Sequence, residues 1–288
     1  MLHVELVLQG LVNGSMYAVI AVGLTLVYGL LRILHVAHAG LFTLGAYITV
    51  LITNATGSLP LAVAVSAVTV GVAGMLVYRL LYEPLLDRPP YVALIASIGL
   101  FICMEEGYRI VFGPYGNSFD TMQLTERINI GPIGMAAADA AMLVGAVVLL
   151  TGLGLLMKRT RFGVAWRATV TDPAMARAFG IDTVKVRYVN FFIASALAAA
   201  AGALVAVLNN LVEPTMGSVP SYKSLAIIVL GGLGNVGGTL AAALLLGVIE
   251  AYGTIYAGSF LDRDAIAFVF LIAVLMVRPQ GLFATGRP

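Results

Sequence analysis

Charge is scarce in this chain. Only 10% of its 288 residues are Asp, Glu, Lys or Arg, against about 25% in an average soluble domain. With 60% of the residues hydrophobic, a soluble fold is excluded, because so much apolar surface could not be buried in a chain this size. Disorder is excluded by the same arithmetic. Cysteine is almost missing. Cys103 stands alone, so an internal disulfide and a cysteine metal site are both ruled out. No Lys or Arg precedes Arg32, so the N-terminus lacks the basic start of a cleaved signal and is expected to be a retained membrane segment. No G-x-x-x-x-G-K-[ST] stretch, nucleophile elbow or His-Glu zinc motif occurs, which leaves no P-loop for ATP and no recognisable hydrolytic centre.

What is present are long apolar runs. A bilayer core takes about 20 residues of helix, and charge-free windows mark the spans. Residues 6–31 give one; residues 33–78 give two, broken near Asn54–Pro60. Further spans are expected at about 92–112, 140–157, 188–212, 224–249 and 265–277. The strand alternation of an outer-membrane barrel is absent. The expected fold is an all-α polytopic membrane protein: about eight transmembrane helices, a glycine-broken, re-entrant or doubly crossing helix in 224–258, and a short cytoplasmic helix. Residues 1–288 read as a single transmembrane domain. The glycine break is Gly231-Gly-Leu-Gly-Asn-Val-Gly-Gly238. It reads either as broken backbone at membrane depth, with Gly234–Gly238 non-helical, or as close packing through Gly234-xxx-Gly238.

Orientation follows from basic residues. The segment Lys158–Arg187 holds seven of the sixteen, so it is assigned to the cytoplasm. Arg32 and Arg79–Arg88 then fall inside, and Phe112–Met135 outside. The C-terminus is left open. If 224–258 crosses twice, Arg278 and Arg287 lie inside and Arg263 outside.

The cytoplasmic loop contains a short helix with both ends marked. Asp172 is a good N-cap, Pro173 suits the first helical position, and Gly180 suits the left-handed position after the end. Two turns over Pro173–Phe179 are marginal alone in water. The helix therefore leans on something: a membrane surface anchored by Trp166 and lipid headgroups, or a cytoplasmic partner. The partner is favoured, because the helix has little amphipathic length. Ala174, Met175, Ala178 and Phe179 are the contact candidates, with Arg177 at the rim.

Four stretches resemble a known family: Gly10–Ala18 leading to Gly23–Gly29; His35–Tyr47; Thr160–Gly163 with Arg167-Ala168 and Asp172-Pro173 through Gly180-Ile181; and Leu230–Gly238 with Arg278–Phe283. In order and over nearly the whole chain they are similar to the permease subunit of branched-chain amino acid ABC transporters, the hydrophobic amino acid uptake type. The family's first hairpin often reads Asn-Phe-Ala-His-Gly; here it is His35-Val-Ala-His-Ala39-Gly40. The resemblance implies a multi-pass protein of the bacterial cytoplasmic membrane without its own motor and without a cofactor. ATP and Mg would be bound by two cytoplasmic ATP-binding subunits. The other implied partners are a second homologous permease, an extracytoplasmic substrate-binding protein and membrane lipid; no nucleic acid is implied. The helix made by Asp172, Pro173, Ala174, Met175, Arg177, Ala178, Phe179 and Gly180 would be the coupling helix in an ATPase cleft. The implied cargo is a branched-chain or other hydrophobic amino acid; urea or short amides are the alternative.

Several residues are candidates for the substrate pathway. Glu105 and Glu106 share a helical face with Arg109. They read as an ion pair near the outer interface, its side chains reaching water, or as a proton-relay or substrate-ammonium site. His35 and His38 read as interfacial histidines or pathway lining; with no carboxylate nearby they make a poor metal site. The amides of Gly237 and Gly238 and the Thr239 hydroxyl would open a helix and attract a substrate carboxylate. Asn13 and Ser15 either line the same cavity or bond to a neighbouring helix. An ion-coupled secondary transporter is the less favoured rival; it would want an acidic residue deep in the membrane and no capped cytoplasmic helix.

Overall fold

A computed structural model describes residues 2–120, 127–130, 133–258 and 260–283. The Phe112–Met135 connection falls partly, and Arg287 wholly, outside the described residues.

The apolar windows become helices because nothing in them competes with the backbone ladder, and in a bilayer every amide must find its partner within the chain. Among the described residues there are α1 (Leu2–Leu31), α2 (His38–Thr56), α3 (Leu59–Val77), α4 (Pro90–Phe112), α5 (Ala137–Arg159), α6 (Arg161–Thr171), α7 (Pro173–Ala178), α8 (Thr183–Asn209), α9 (Ser218–Gly231), α10 (Val236–Tyr256) and α11 (Arg263–Val277). A π-helical turn, Tyr78–Tyr82, extends α3. A short antiparallel pair, β1 (Arg127–Ile130) and β2 (Ile133–Ala136), precedes α5. Among the described residues seven helices are long and apolar enough to cross a bilayer: α1, α2, α3 with its extension, α4, α5, α8 and α10. The expected eight thus resolves into these seven plus two short apolar helices, α9 with 14 residues and α11 with 15.

The two halves of the chain repeat one plan in opposite directions. α1 ends at Leu31, Arg32 turns with φ 56°, and an irregular segment leads to α2. α8 ends at Asn209, Asn210 turns with φ 51°, and an irregular segment leads to α9. Among the described residues these are the two non-glycine positions with positive φ, a conformation that costs energy for an L side chain. Packing follows the same exchange: α10 lies along α1, α3 along α8, and α1 and α8 lie against each other as the buried axis. Inverted repeats of this kind, each with a helix that starts inside the membrane, are a recurrent transporter plan.

Close approach makes the α1–α10 seam. A Cβ at Gly10 would sit 2.6 Å from the Val248 Cα, and one at Gly14 would sit 2.8 Å from the Leu244 Cα. Gly247 is pressed from the other side against Gly10 and Gly14. This is the small-xxx-small contact of membrane helices, made by Gly10 and Gly14 rather than by Gly234 and Gly238.

The basic end of the molecule holds Arg32 and the Lys158–Arg187 segment. α9 runs toward that end and α10 back from it, since the Gly234 Cβ position lies 3.7 Å from Gly29 and Thr239 bonds Thr25. α11 returns, and Leu282 N–H donates to the Leu230 carbonyl at 2.8 Å. Residues 224–258 therefore turn once, and the described C-terminal residues end at the basic end with Arg278.

Candidate functional site

The short helix of the basic loop forms as its end signals require. The Asp172 carboxylate accepts from the amides of Ala174 and Met175, both at 2.9 Å. Gly180 adopts φ 82°, and the Ile181 N–H closes back onto the Ala176 carbonyl at 3.0 Å. The helix runs over Pro173–Ala178, with Phe179 as its C-cap residue. Only Ala176 is buried in it; Ala174, Met175, Arg177 and Ala178 are exposed, and Phe179 is 81% exposed. Beside it lies an open groove of about 450 Å³ floored by Val164, Ala168 and Ile181. Trp166 does not reach outward as a membrane anchor. It is buried against Gly29 and donates to Asn190 Oδ1 at 2.9 Å. At the loop's far side the Lys185 amide bonds Asp182, which holds that carboxyl below its ordinary range.

The histidines are not interfacial. After Arg32 the chain bends back into the bundle, and His38 packs against Gly23, eight residues before the end of α1. His35 and His38 are both buried, with rings 5.7 Å apart. The His35 Nδ1 shares a 2.6 Å hydrogen bond with the Tyr82 hydroxyl, while both nitrogens of His38 find no protein partner. A narrow cavity separates them from Ser221 and Ser224 of α9. No group of three metal-ligating residues occurs among the described residues.

The α4 carboxylates are deep as well. Arg109 pairs with Glu106 at 2.8 Å and lies 3.9 Å from Glu105. Ser218, the first residue of α9, donates to Glu105 at 3.2 Å. The neighbouring Gly217 abuts Ala39 and Thr43 of α2. From Thr43 to the far end of α2 at Thr56 is about 20 Å at helical rise. The expected ion pair forms, with both side chains about half exposed. α4 stops short of α2: Phe112 stacks on Tyr47 with centroids 4.2 Å apart, and α2 continues beyond Tyr47 for about 14 Å.

A second cluster was hidden in the sequence. Lys223 of α9 contacts Glu250 at 2.9 Å, Asp264 at 2.7 Å and the Tyr17 hydroxyl at 3.0 Å. Arg263 contacts the other Glu250 oxygen at 2.8 Å, and the Tyr17 hydroxyl donates to that same oxygen at 2.7 Å. Tyr222 donates to Asp264. Two cations and two carboxylates thus cancel, with Lys223 3% and Glu250 0% exposed. The charge-free windows 224–249 and 265–277 stop one residue short of Lys223, Glu250 and Asp264. Charges that served as span boundaries are in fact inside. Asn13 borders a cleft of about 180 Å³ beside Glu250 and Arg263; Ser15 is buried.

The glycine break is a hairpin turn. Gly232 and Gly234 take positive φ, and α10 starts at Val236, so Gly237 and Gly238 are helical. The expectation that Gly234–Gly238 is non-helical holds only for its first part. Two of the three groups are used within the chain: Asn235 Oδ1 accepts from Gly238 at 3.0 Å, and the Thr239 hydroxyl bonds the Asn235 carbonyl and Thr25 Oγ1, both at 2.9 Å. Gly237 has room for a side chain, whereas a Cβ at Gly238 would strike the Gly231 carbonyl. The pathway candidates therefore divide. His35, His38, Glu105 and Glu106 gather around the start of α9, Asn13 lies by the buried cluster, and Gly237–Thr239 stand apart at the basic end.

Residues 6–278 match the family described as the branched-chain amino acid transport system permease component. The chain is 30% identical to the high-affinity branched-chain amino acid transport system permease protein BraD of Pseudomonas aeruginosa, covering 99% of this chain and 96% of that one. It is 30% identical to the permease protein LivH of Escherichia coli K12, covering 97% and 94%. LivM of the same organism is 26% identical over 94% of this chain and 68% of its own length. Among solved structures, PsaBC from Streptococcus pneumoniae in complex with Fab aligns with a TM-score of 0.52 at 10% identity, covering 94% and 91%. That likeness is one of fold.

Proposed function

The chain belongs to the family of branched-chain amino acid transport permease components, and from that premise we propose that it is the membrane-spanning subunit of an ATP-driven importer for branched-chain or other hydrophobic amino acids. As a family member it is a multi-pass protein of the bacterial inner membrane and a transport subunit rather than an enzyme. Its basic end is cytoplasmic, which accords with the charge bias of its loops. Two ATP-binding subunits dock there, a substrate-binding protein delivers cargo at the opposite face, and a second permease completes the path.

The observation that carries the coupling half of this reading is the exposure of α7. A six-residue helix, capped at both ends, keeps only Ala176 for its own protein and presents Met175 and Phe179 to solvent beside an apolar groove. Large exposed apolar side chains on a pre-formed helix suit a protein partner, with the aromatic as anchor. Asp172 and Gly180 fix the ends of the helix, and Pro173 fixes its first turn. Arg177 sits at the rim, where acidic groups of the partner steer docking.

The test is a reconstituted complex with its ATPase pair and binding protein, assayed for substrate-stimulated ATP hydrolysis over aliphatic amino acids, urea and short amides. Stimulation by the aliphatic set is expected; stimulation by urea or amides alone would reassign the cargo. Phe179→Asp is expected to insert normally and to lose coupling or ATPase assembly. Normal uptake by that variant, with a normally assembled ATPase, would refute the coupling assignment.

A further inference from the structure

α4 is held by little of its own chain. It packs on α2 and touches the π-helical turn, and it buries only Ala93, Ser97 and Tyr108. Among the described residues nothing else covers much of its circumference, and that surface is not one for lipid. Glu106 is 52% and Arg109 43% exposed, at a level some 20 Å inside the far end of α2. Charged groups at such depth face protein or water rather than acyl chains. The free face also carries Gly99 and Gly107, two turns apart, and a Cβ at either would meet nothing. In the α1–α10 seam the same device is filled by a neighbouring helix; on α4 its filler is missing. α5 also has unfilled glycines, Gly152 and Gly154, but the middle of that helix has no charge and suits lipid.

Two further observations say what covers α4. The polar strip continues across α9. Ser218 and Tyr222 are one turn apart on one face of that helix; Ser218 reaches Glu105 of α4, and Tyr222 reaches Asp264 of α11. Asp264 and Arg263 are themselves more than a third exposed. The two short-packed helices of the inverted repeats thus flank α9 with charge of both signs, on a side the chain does not close. In addition, this chain is similar along its length both to LivH and to LivM, two permease proteins of one transport system in one organism. A chain of this same fold is therefore the occupant to which these likenesses point.

We propose that the free face of α4 is the contact with a second permease subunit of the same fold, with a partner helix seated on Gly99 and Gly107 and the Glu106–Arg109 pair turned to the aqueous gap between the subunits. The proposal rests on the permease reading and assigns its partner a surface.

The test is site-specific photo-crosslinking in membranes that carry the complete transporter. A benzophenone amino acid is placed at Ile95 or Ile102 on α4, at Val147 on α5 and at Val68 on α3, four positions that are all exposed. The α4 positions are expected to give an adduct whose two chains mass spectrometry identifies as this permease joined to a permease of the same family, either a second copy or a relative. Val147 and Val68 are expected to give lipid adducts only. Permease adducts from α3 or α5 but not from α4, or lipid adducts alone from α4, would overturn the proposal. Gly99→Leu is expected to abolish the paired species on a native gel, while Gly152→Leu keeps it; a paired Gly99→Leu protein would also count against the assignment. Uptake is measured in parallel. Uptake without an α4 adduct refutes the interface alone, and an adduct without amino acid uptake refutes the cargo reading alone.

Discussion

Two charged clusters stand on either side of α9 at similar depth, and they are built differently. Around Lys223 and Glu250 the charges pair and cancel, and the two central side chains are buried, 3% and 0% exposed. Around Glu106 and Arg109 the pairing is incomplete and half of each side chain is open. The glycines follow the same division: Gly10, Gly14 and Gly247 of the α1–α10 seam are filled, those of α4 are empty. A closed cluster at membrane depth holds helices together; an open one is a surface waiting for water or a partner.

Substitutions can break that comparison. The largest effect is expected at Glu250. Glu250→Ala would strand Lys223 and Arg263 without their shared carboxylate, and losing one member of a buried pair costs about 3–5 kcal/mol. A collapse of the unfolding temperature in detergent is the expected readout, and a wild-type melting curve would mean that the cluster is not closed. Next comes the seam. Gly14→Leu should cost about 1–3 kcal/mol or more, since overpacking against backbone finds no room, whereas Gly99→Leu should leave the melting temperature of the isolated subunit close to wild type. Equal losses at both positions would erase the distinction between filled and empty stripes. Asp172→Ala, on a helix outside the membrane, should cost about 1 kcal/mol through loss of its cap, read as faster amide exchange at Ala174 and Met175. The smallest effect on stability is expected from Glu106→Gln, within about 1 kcal/mol as for other open pairs, while transport falls. Unchanged transport in that variant would sharpen the comparison the other way and make the open pair mere surface.

Much of the fold was readable because composition and charge bias act over whole windows. The charge-free runs located the membrane helices. The end signals at Asp172, Pro173 and Gly180 located α7 within a residue, because caps are local chemistry. The rest depended on contacts between distant segments. Lys223, Glu250 and Asp264 looked like span boundaries because linear reading treats a charge as an exit from the membrane; their neutralisation by one another is visible only once α9, α10 and α11 are packed. His35 and His38 looked interfacial because they follow Arg32, and the return of residues 33–37 into the bundle leaves no trace in hydropathy. The glycines of the 231–238 turn read either as open backbone or as close packing, whereas the structure makes them a turn in which Asn235 caps Gly238 from within. The level of Glu105 and Glu106 depends on where α4 stops against Tyr47, a contact between distant segments.

The bond between Tyr17 and Glu250 joins residues 233 positions apart, and this governs the order of biosynthesis. At ribosomal speeds of about 5–20 residues per second, α1 waits roughly ten to fifty seconds after it leaves the ribosome before α10 emerges. During that interval Asn13 and Tyr17 lie in the membrane without their final neighbours, and the Gly10–Gly14 furrow stands open. The first helix made is thus among the last to be secured. A chain cut short before Glu250 would carry an α1 without that latch.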